Sequence, residues 1–219
     1  MPMVYDTTVD TLRSRFSAMS IYKLAFHSIL IFISLFEAPA IKAQVNVVTS
    51  IRPLQLIAQA IIEDRGTVSS VIGALDSPHH YFLTPSDRVN LERADLLLWI
   101  SPGFEVQLAD VFSSLADVKP IITASDISDI SLLSVSSSEI DPHLWTRSSN
   151  GVAIAKALSI RLQELDNANQ LDYQIALERF EKSINNTDSE ILRMTAGIRN
   201  KEYLAFHNAY QYFQQDYNL

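Results

Sequence analysis

The sequence predicts an α/β protein with a parallel-sheet N-terminal lobe, a long linking helix and the first β-α unit of a second, truncated α/β lobe. Three observations support this prediction. Short β-branched or apolar runs alternate with amphipathic segments over the first half of the chain. From Asn150 onward, apolar residues recur at helical spacing without an intervening strand pattern. A new strand-like run then follows at Tyr203–Phe206, close to the end of the sequence.

The patterning of the first lobe predicts a β-α-β unit followed by further strands. Val45–Val48 is expected to be a buried strand, and Pro53 suits the first turn of a helix with one apolar face. Val68–Ile72 is expected to be the next strand, which implies parallel pairing and a right-handed crossover. The remaining expectations are a helix over Val89–Ala94 capped by Ser86 or Asp87, strands at Leu96–Ile100 and Ile121–Thr123, and a loop over 124–140.

The helical pattern after Asn150 predicts the long linking region over 151–198, with an interruption at Asp166–Asn169. Beyond it, Tyr203–Phe206 is predicted as a strand and Asn208–Tyr217 as the start of a helix. One strand without a partner and one helix without a sheet cannot form a stable lobe. We therefore expect 44–150 to be an N-terminal α/β metal-binding lobe and 199–219 to be the start of a truncated C-terminal lobe.

The N-terminal residues are predicted to be an extension and an export signal. Lys23 precedes an apolar run over 24–36, and small residues precede Gln44. The run is too short to be a stable membrane anchor. Residues 1–18 are interpreted as an upstream extension and 19–43 as a signal peptide that is cleaved after Ala40 or Ala43. The protein is accordingly expected in the periplasm.

Composition excludes several classes of function. The 219 residues are 47% hydrophobic, which argues against disorder, and the net charge of −8 argues against a nucleic-acid partner. The chain has no cysteine. Disulfides, thiolate metal sites, cysteine nucleophiles and a lipid-modified N-terminal cysteine are therefore all excluded.

Four of the five histidines lie in three short polar and aromatic segments. His79 lies in Pro-His-His-Tyr, His143 in Asp-Pro-His-Leu-Trp and His207 in Phe-His-Asn-Ala-Tyr. Each is expected after a strand or the following loop, at the edge where open parallel sheets bind ligands. Neutral imidazole is a common zinc ligand, so these three histidines are candidate metal ligands. Any one of them alone would more often be a surface or core histidine, and His80 is expected to point away from His79.

The segments together resemble the metal-binding proteins of zinc and manganese ABC transporters, which are periplasmic solute-binding proteins. The resemblance covers residues 44–219. It rests on an ordered set of motifs: Val-Val-Thr-Ser-Ile-Arg-Pro-Leu at 47–54, Pro-His-His-Tyr at 78–81, Thr-Pro-Ser-Asp at 84–87, Arg-Ala-Asp-Leu-Leu-Leu-Trp-Ile at 93–100, Asp-Pro-His-Leu-Trp at 141–145 and Phe-His-Asn-Ala-Tyr-Gln-Tyr-Phe at 206–213.

This resemblance implies two α/β lobes joined by a long helix, with the metal bound between the lobes. It also implies that His79, His143 and His207 are the ligands. Histidine rather than glutamate at the last position resembles the zinc branch, in agreement with the preference of imidazole for zinc. The sequence departs from the family in two ways: the family's second lobe extends beyond Leu219, where some members have a carboxylate ligand, and the histidine-rich loop of many zinc-branch members is missing.

The predicted function is capture of zinc in the periplasm and delivery to the membrane permease of an ABC transporter by a monomer that is not an enzyme. Three alternatives remain at this stage: a manganese or iron binder of the same family, a zinc-dependent hydrolase, and an inactive fragment. The hydrolase lacks support because the sequence has no His-Glu-x-x-His motif and no glutamate beside a histidine. Asp141 is expected either to orient His143 or to serve as a surface or helix-capping residue.

Overall fold

The structure is a computed structural model that describes residues 44–78, 80–136, 139–199 and 201–219. The predicted extension over 1–18 and the predicted signal peptide over 19–43 lie outside the described residues. Within those ranges, none of the helices combines the length and the hydropathy that crossing a membrane requires.

A four-stranded parallel sheet lies at the centre of the first lobe, as the sequence predicts. Its strand order is β2-β1-β3-β4, and Val47 of β1 pairs with Val68 on one side and Leu96 on the other. The two central strands are almost entirely buried, which explains the continuous apolar run of β3 and the three valines of β1. The strands are β1 Val45–Thr49, β2 Gly66–Ser70, β3 Leu96–Trp99 and β4 Ile121–Thr123.

The predicted strand at Val68–Ile72 begins and ends two residues earlier, at Gly66 and Ser70. Its limits follow the register of β1, because Val45 pairs with Gly66 and the ladder ends at Thr49. Val71 and Ile72 nevertheless donate their backbone N–H groups to Thr49 and Ser50 carbonyls, each at 2.9 Å. The chain therefore leaves the sheet gradually at the edge where the candidate ligands were expected.

Three helices cover the sheet: α1 Arg52–Ile62, α2 Pro85–Arg93 and α3 Val106–Leu115. Helix α1 has Pro53 in its first turn, as predicted, and buries one apolar face. Helix α3 was not predicted, although Leu108, Val111, Phe112 and Leu115 are buried at helical spacing.

Helix α2 begins four residues earlier than predicted, and Thr84 caps it instead of Ser86 or Asp87. The Asp87 backbone N–H donates to the Thr84 hydroxyl at 3.3 Å, and the Asp87 carboxylate accepts from the Thr84 backbone N–H at 2.8 Å. This reciprocal pair is a capping box, in which the acidic residue occupies the third helical position. Pro85 fits the first position because that residue needs no hydrogen-bond donor.

The loop predicted over 124–140 contains more structure than the sequence indicates. It begins with a 3-10 turn at Ala124–Asp126 and includes a short antiparallel pair, β5 Ser134–Ser136 and β6 Glu139–Ile140. Both short strands are exposed. Their pairing returns the chain to the sheet edge immediately before Asp141 and His143.

The long linking region consists of two helices, α4 Ser148–Leu165 and α5 Gln170–Thr195, separated by a 3-10 turn at Asn167–Asn169. The predicted interruption is therefore confirmed, and it reverses the chain direction. The Ser159 hydroxyl donates to the Tyr173 carbonyl at 3.1 Å, and the Tyr173 hydroxyl donates to the Asp166 carboxylate at 2.9 Å. The 26 residues of α5 extend over about 39 Å at 1.5 Å per residue.

The strand predicted at Tyr203–Phe206 is not formed, so the expected β-α unit of a second lobe is wrong in its first half. These residues have no regular structure, and Leu204 and Phe206 are fully exposed. A strand needs a neighbour to satisfy its backbone groups, and the described chain offers none here. The helix does form, as α6 Gln211–Tyr217, and its Tyr212 and Tyr217 are buried.

We expect Thr84→Ala to destabilise the protein by about 1 kcal/mol, because it removes the hydroxyl that caps α2. Thr84→Ser keeps the hydroxyl and should cost less than half as much. Urea unfolding followed by circular dichroism measures both free energies. Equal losses for the two variants would show that the threonine methyl group, and not the cap, supplies the stability.

Candidate metal centre

His143 lies at the carboxyl edge of the sheet, between β6 and a 3-10 turn at Leu144–Thr146. Its side chain is buried, and one carboxylate oxygen of Asp141 accepts from both its backbone N–H at 3.0 Å and its ring Nδ1 at 2.7 Å. The bond to Nδ1 assigns the ring proton to that nitrogen. The lone pair of the imidazole is therefore on Nε2, which is the arrangement of a metal-ligating histidine.

His207 approaches His143 from the far end of the described chain. The two Nε2 atoms are 3.1 Å apart, although the residues are separated by 64 positions. Two nitrogens bound to one tetrahedral zinc at 2.0–2.1 Å would be about 3.3 Å apart. The ring planes are inclined at 76°, so the two rings converge without stacking. The structure thus brings together two of the three predicted ligands at a spacing that suits a shared ion.

Asp141 is buried, with 2% exposure, which excludes the surface role that the sequence left open. The helix-capping alternative is also excluded, because the first residue before α4 is Arg147 and no side chain caps that helix. Asp141 therefore orients His143, as one of the sequence hypotheses proposed. Its second carboxylate oxygen is buried and has no hydrogen-bond partner in the described part of the chain.

Aromatic side chains form the inner wall around His143. The Phe104 ring lies 5.9 Å and the Trp145 ring 5.3 Å from the imidazole, measured between ring centroids, and both contacts are edge-on. Phe104 belongs to the loop after β3, so the imidazole lies beside the carboxyl end of that strand. Trp145 lies two residues after His143 and forms the second part of this wall. These rings restrict the rotation of the imidazole and shield its buried side from water.

Glu105 lies in the loop that carries Phe104 and is not one of the site residues predicted from the sequence. It is fully buried, and its carboxylate accepts hydrogen bonds from the Ser50 hydroxyl and from the backbone N–H groups of Ile100 and Ser101. These bonds join the carboxyl ends of β1 and β3. Burial raises the pKa of Glu105, although the hydrogen bonds act in the opposite direction. The one sequence signal for Glu105 was its position as an acidic residue directly before an amphipathic segment.

His79 lies outside the described residues, so its place in the site stays a prediction. Of its neighbours, His80 is exposed and donates its backbone N–H to the Ser77 carbonyl at 3.2 Å. The Tyr81 hydroxyl donates to Asp87 at 2.8 Å, which attaches this loop to the start of α2. Burial and that hydrogen bond raise the pKa of Tyr81 to about 12. Among the described residues alone, no group of three histidine, aspartate or glutamate side chains is placed to hold a metal.

A family model described as zinc-uptake complex component A, periplasmic, matches residues 47–219. The chain belongs to this family. Its members are periplasmic metal-binding proteins of uptake systems and not enzymes. The match begins within β1 and includes all three histidine segments, so the family assignment covers the whole candidate site.

Individual relatives agree with the family. The chain is 29% identical to the high-affinity zinc uptake system protein ZnuA of Yersinia pestis, over 81% of this chain and 64% of the relative. It is 24% identical to ZnuA of Haemophilus ducreyi, over 81% and 66%. It is also 27% identical to the iron-binding protein YfeA of Yersinia pestis, over 80% and 57%. The chain thus spans less than two thirds of the length of these relatives.

Solved structures share the fold. A crystal structure of ZnuA superposes with a TM-score of 0.74 at 24% identity, over 80% of this chain and 68% of that one. The periplasmic zinc-binding protein TroA from Treponema pallidum superposes with a TM-score of 0.74 at 23% identity, over 80% and 64%. The parallel sheet and its helices are therefore those of the ZnuA and TroA structures.

We expect Ser50→Ala to destabilise the protein by about 1–3 kcal/mol at a pH above the folded-state pKa of Glu105, because it removes a donor from a buried carboxylate. The raised pKa of Glu105 means that its contribution to stability is present below its ordinary value of 4.5 and is lost as the pH rises through the folded-state value. Loss of a donor to the charged form raises that pKa further. The cost of Ser50→Ala should therefore be smaller at about pH 4.5 than at that higher pH.

Urea unfolding at the two pH values measures this difference. Ser70→Ala is the matched control, because the partners of the Ser70 hydroxyl in the described part of the chain are the carbonyls of Ser50 and Ile72, neither of which titrates. Its cost should be the same at both pH values. A pH-independent cost for Ser50→Ala would contradict the inference that the Ser50 hydroxyl stabilises the charged form of Glu105.

Proposed function

We propose that this protein captures zinc in the periplasm and delivers it to the membrane permease of an ABC transporter for uptake. The observation that carries the proposal is the convergence of the His143 and His207 Nε2 atoms to 3.1 Å in a chain of the zinc-uptake family. Zinc is the cargo, and the protein performs no chemical step on it. Its task is to bind the ion tightly enough to collect it and to release it on the permease.

The proposed ligands are His79, His143 and His207. His143 is oriented by Asp141 at the sheet edge, and His207 comes from the segment that follows the linking helices. His79 would reach the same place from the loop after β2, whose neighbouring residues are held against α2. Three neutral imidazoles leave one position of a tetrahedral ion for water. The proposed division of the chain is 44–150 for the first lobe, 151–198 for the linking region and 199–219 for the segment that carries His207.

Zinc is preferred over manganese and iron because all three proposed ligands are imidazoles. Manganese favours carboxylate oxygen, and the described residues within reach of His207 Nε2 contribute a second imidazole. Two of the relatives above are named as zinc uptake proteins, and one is named as iron-binding. Elemental analysis of the protein isolated from periplasm tests the choice, and a sample loaded with manganese or iron would favour that second function.

The proposed location and partner follow from the family and from the predicted signal peptide. The exported protein would begin at Gln44 or Ile41 and act as a monomer on its permease. Sequencing the N-terminus of protein recovered from the periplasm tests the cleavage, and an intact N-terminus would contradict it. Zinc-dependent growth of a deletion strain, restored by this chain together with its permease, tests delivery.

Replacing either of two proposed ligands should abolish tight zinc binding. We expect His143→Ala and His79→Ala each to weaken binding by more than the roughly 10–100-fold that loss of an orienting partner costs. Competition with a chromophoric chelator measures the affinity. His80→Ala is the matched control, since the exposed His80 adjoins a proposed ligand, and its affinity should stay close to that of the wild type. Equal damage from His80→Ala and His79→Ala would overturn the assignment within this pair.

Asp141→Asn should weaken zinc binding by about 10–100-fold, because the neutral amide holds the His143 Nδ1–H less firmly. The same chelator competition provides the measurement. Glu139→Gln is the control, because it removes the same charge two residues away from an exposed side chain. If both variants lost affinity equally, the effect would be one of overall charge and not of imidazole orientation.

A further inference from the structure

Tyr212 connects the helix after His207 to the loop that carries His143. It lies on α6, five residues beyond His207, and its side chain is fully buried. Its hydroxyl accepts a hydrogen bond from the Leu133 backbone N–H at 3.0 Å and donates one to the Asp141 carbonyl at 2.8 Å. A single hydroxyl therefore contacts the backbone of Asp141, whose side chain orients the imidazole of His143.

The Tyr212 hydroxyl contacts the residue that precedes β5 and the residue that follows β6. Leu133 precedes β5 and Asp141 follows β6, and the Asp141 N–H donates to the Leu133 carbonyl at 2.8 Å. Tyr212 adds the two remaining backbone groups of this closure, the Leu133 N–H and the Asp141 carbonyl. The loop that carries the Asp141 carboxylate thus depends on a side chain from α6 for its closure.

Gln211 on α6 also reaches the β5–β6 pair, where its Nε2 donates to the Ser134 carbonyl at 3.4 Å. The remaining side-chain contacts hold α6 against other parts of the described chain. The Arg147 guanidinium donates to Asp216 at 2.9 Å and lies over the Tyr212 ring, and the Tyr217 hydroxyl bonds to Ser148 and Asp188. These bonds hold α6 against the start of α4 and against α5. Of the hydrogen bonds made by α6 side chains in the described chain, the one from the Tyr212 hydroxyl is the one that reaches Asp141.

We infer that Tyr212 is a positioning residue for the metal site, which sets the approach of His207 to His143 by joining α6 to the backbone of Asp141. The inference rests on the proposed function. Helix α6 follows His207 by a few residues, so a displacement of α6 relative to Asp141 changes the distance between the two Nε2 atoms. The short separation of those atoms is then a consequence of one hydroxyl bridging both sides of the site.

The test compares Tyr212→Phe with Tyr217→Phe. Both residues are buried on α6, and both variants lose one hydroxyl and its hydrogen bonds while the ring stays in place. Both should therefore lower the urea midpoint. We expect only Tyr212→Phe to weaken zinc binding, by about 10–100-fold, as for loss of an orienting partner, and Tyr217→Phe to stay within about threefold of the wild type.

Cobalt substitution supplies a readout that stability alone does not move. The visible absorption of bound Co²⁺ reports the coordination geometry, so Tyr212→Phe should alter the spectrum and Tyr217→Phe should not. Wild-type affinity and an unchanged cobalt spectrum for Tyr212→Phe would overturn the inference. Equal losses of affinity in the two variants would overturn it as well, because the effect would then be general destabilisation.

Hydrogen exchange on the wild-type protein keeps the inference testable if Tyr212→Phe does not fold. Because coupling between two sites is reciprocal, zinc should slow exchange of the Leu133 amide by about tenfold or more. Unchanged exchange at Leu133 in the zinc-loaded protein would overturn the inference. If the wild-type protein bound no zinc at all, the proposed function and the inference would both fail. If the wild type bound zinc normally and Tyr212→Phe had no effect on binding, only the inference would fail.

Discussion

Asp141 is the residue on which the candidate site depends. Its carboxylate holds the His143 backbone and ring, its N–H donates to Leu133, and its carbonyl accepts from Tyr212. A buried carboxylate is costly unless donors bond to it, and the two bonds from His143 to one carboxylate oxygen offset part of that cost. The contacts of Asp141 join the first lobe and the last helix at one point.

A second buried acidic residue, Glu105, stabilises the loop after β3 that lies beside the site. It binds the ends of β1 and β3, and the loop that it closes carries Phe104 against the imidazole of His143. Both acidic groups lie on the ligand side of the sheet. Holding these side chains in fixed hydrogen bonds keeps the imidazole in one orientation before any ion arrives, which lowers the cost of binding.

Local patterns predicted the first lobe well and the last segment poorly. Strand Ile121–Thr123 and the helix that starts near Pro53 match the sequence expectation, because burial and periodicity are properties of neighbouring residues. The start of α2 was predicted four residues too late. Several polar residues in that segment could cap a helix, and only the structure shows that Thr84 and Asp87 cap it reciprocally. The strand predicted at Tyr203–Phe206 did not form, because residues with a high β-propensity form a strand only beside a partner strand. The interruption at Asp166–Asn169 was visible in the sequence, but the packing of α5 along α4 was not.

The sequence by itself determined the strand order along the first lobe up to Ile121–Thr123, the family and the chemistry of the candidate ligands, because each of these is carried by short runs of consecutive residues. Only the tertiary structure decided that His143 and His207 meet at 3.1 Å across 64 positions, and that Asp141 orients one of them. It also revealed Glu105 and Tyr212, whose roles depend on groups 55 and 71 residues away. Such distances are set by the packing of whole helices and strands, and no local pattern encodes them.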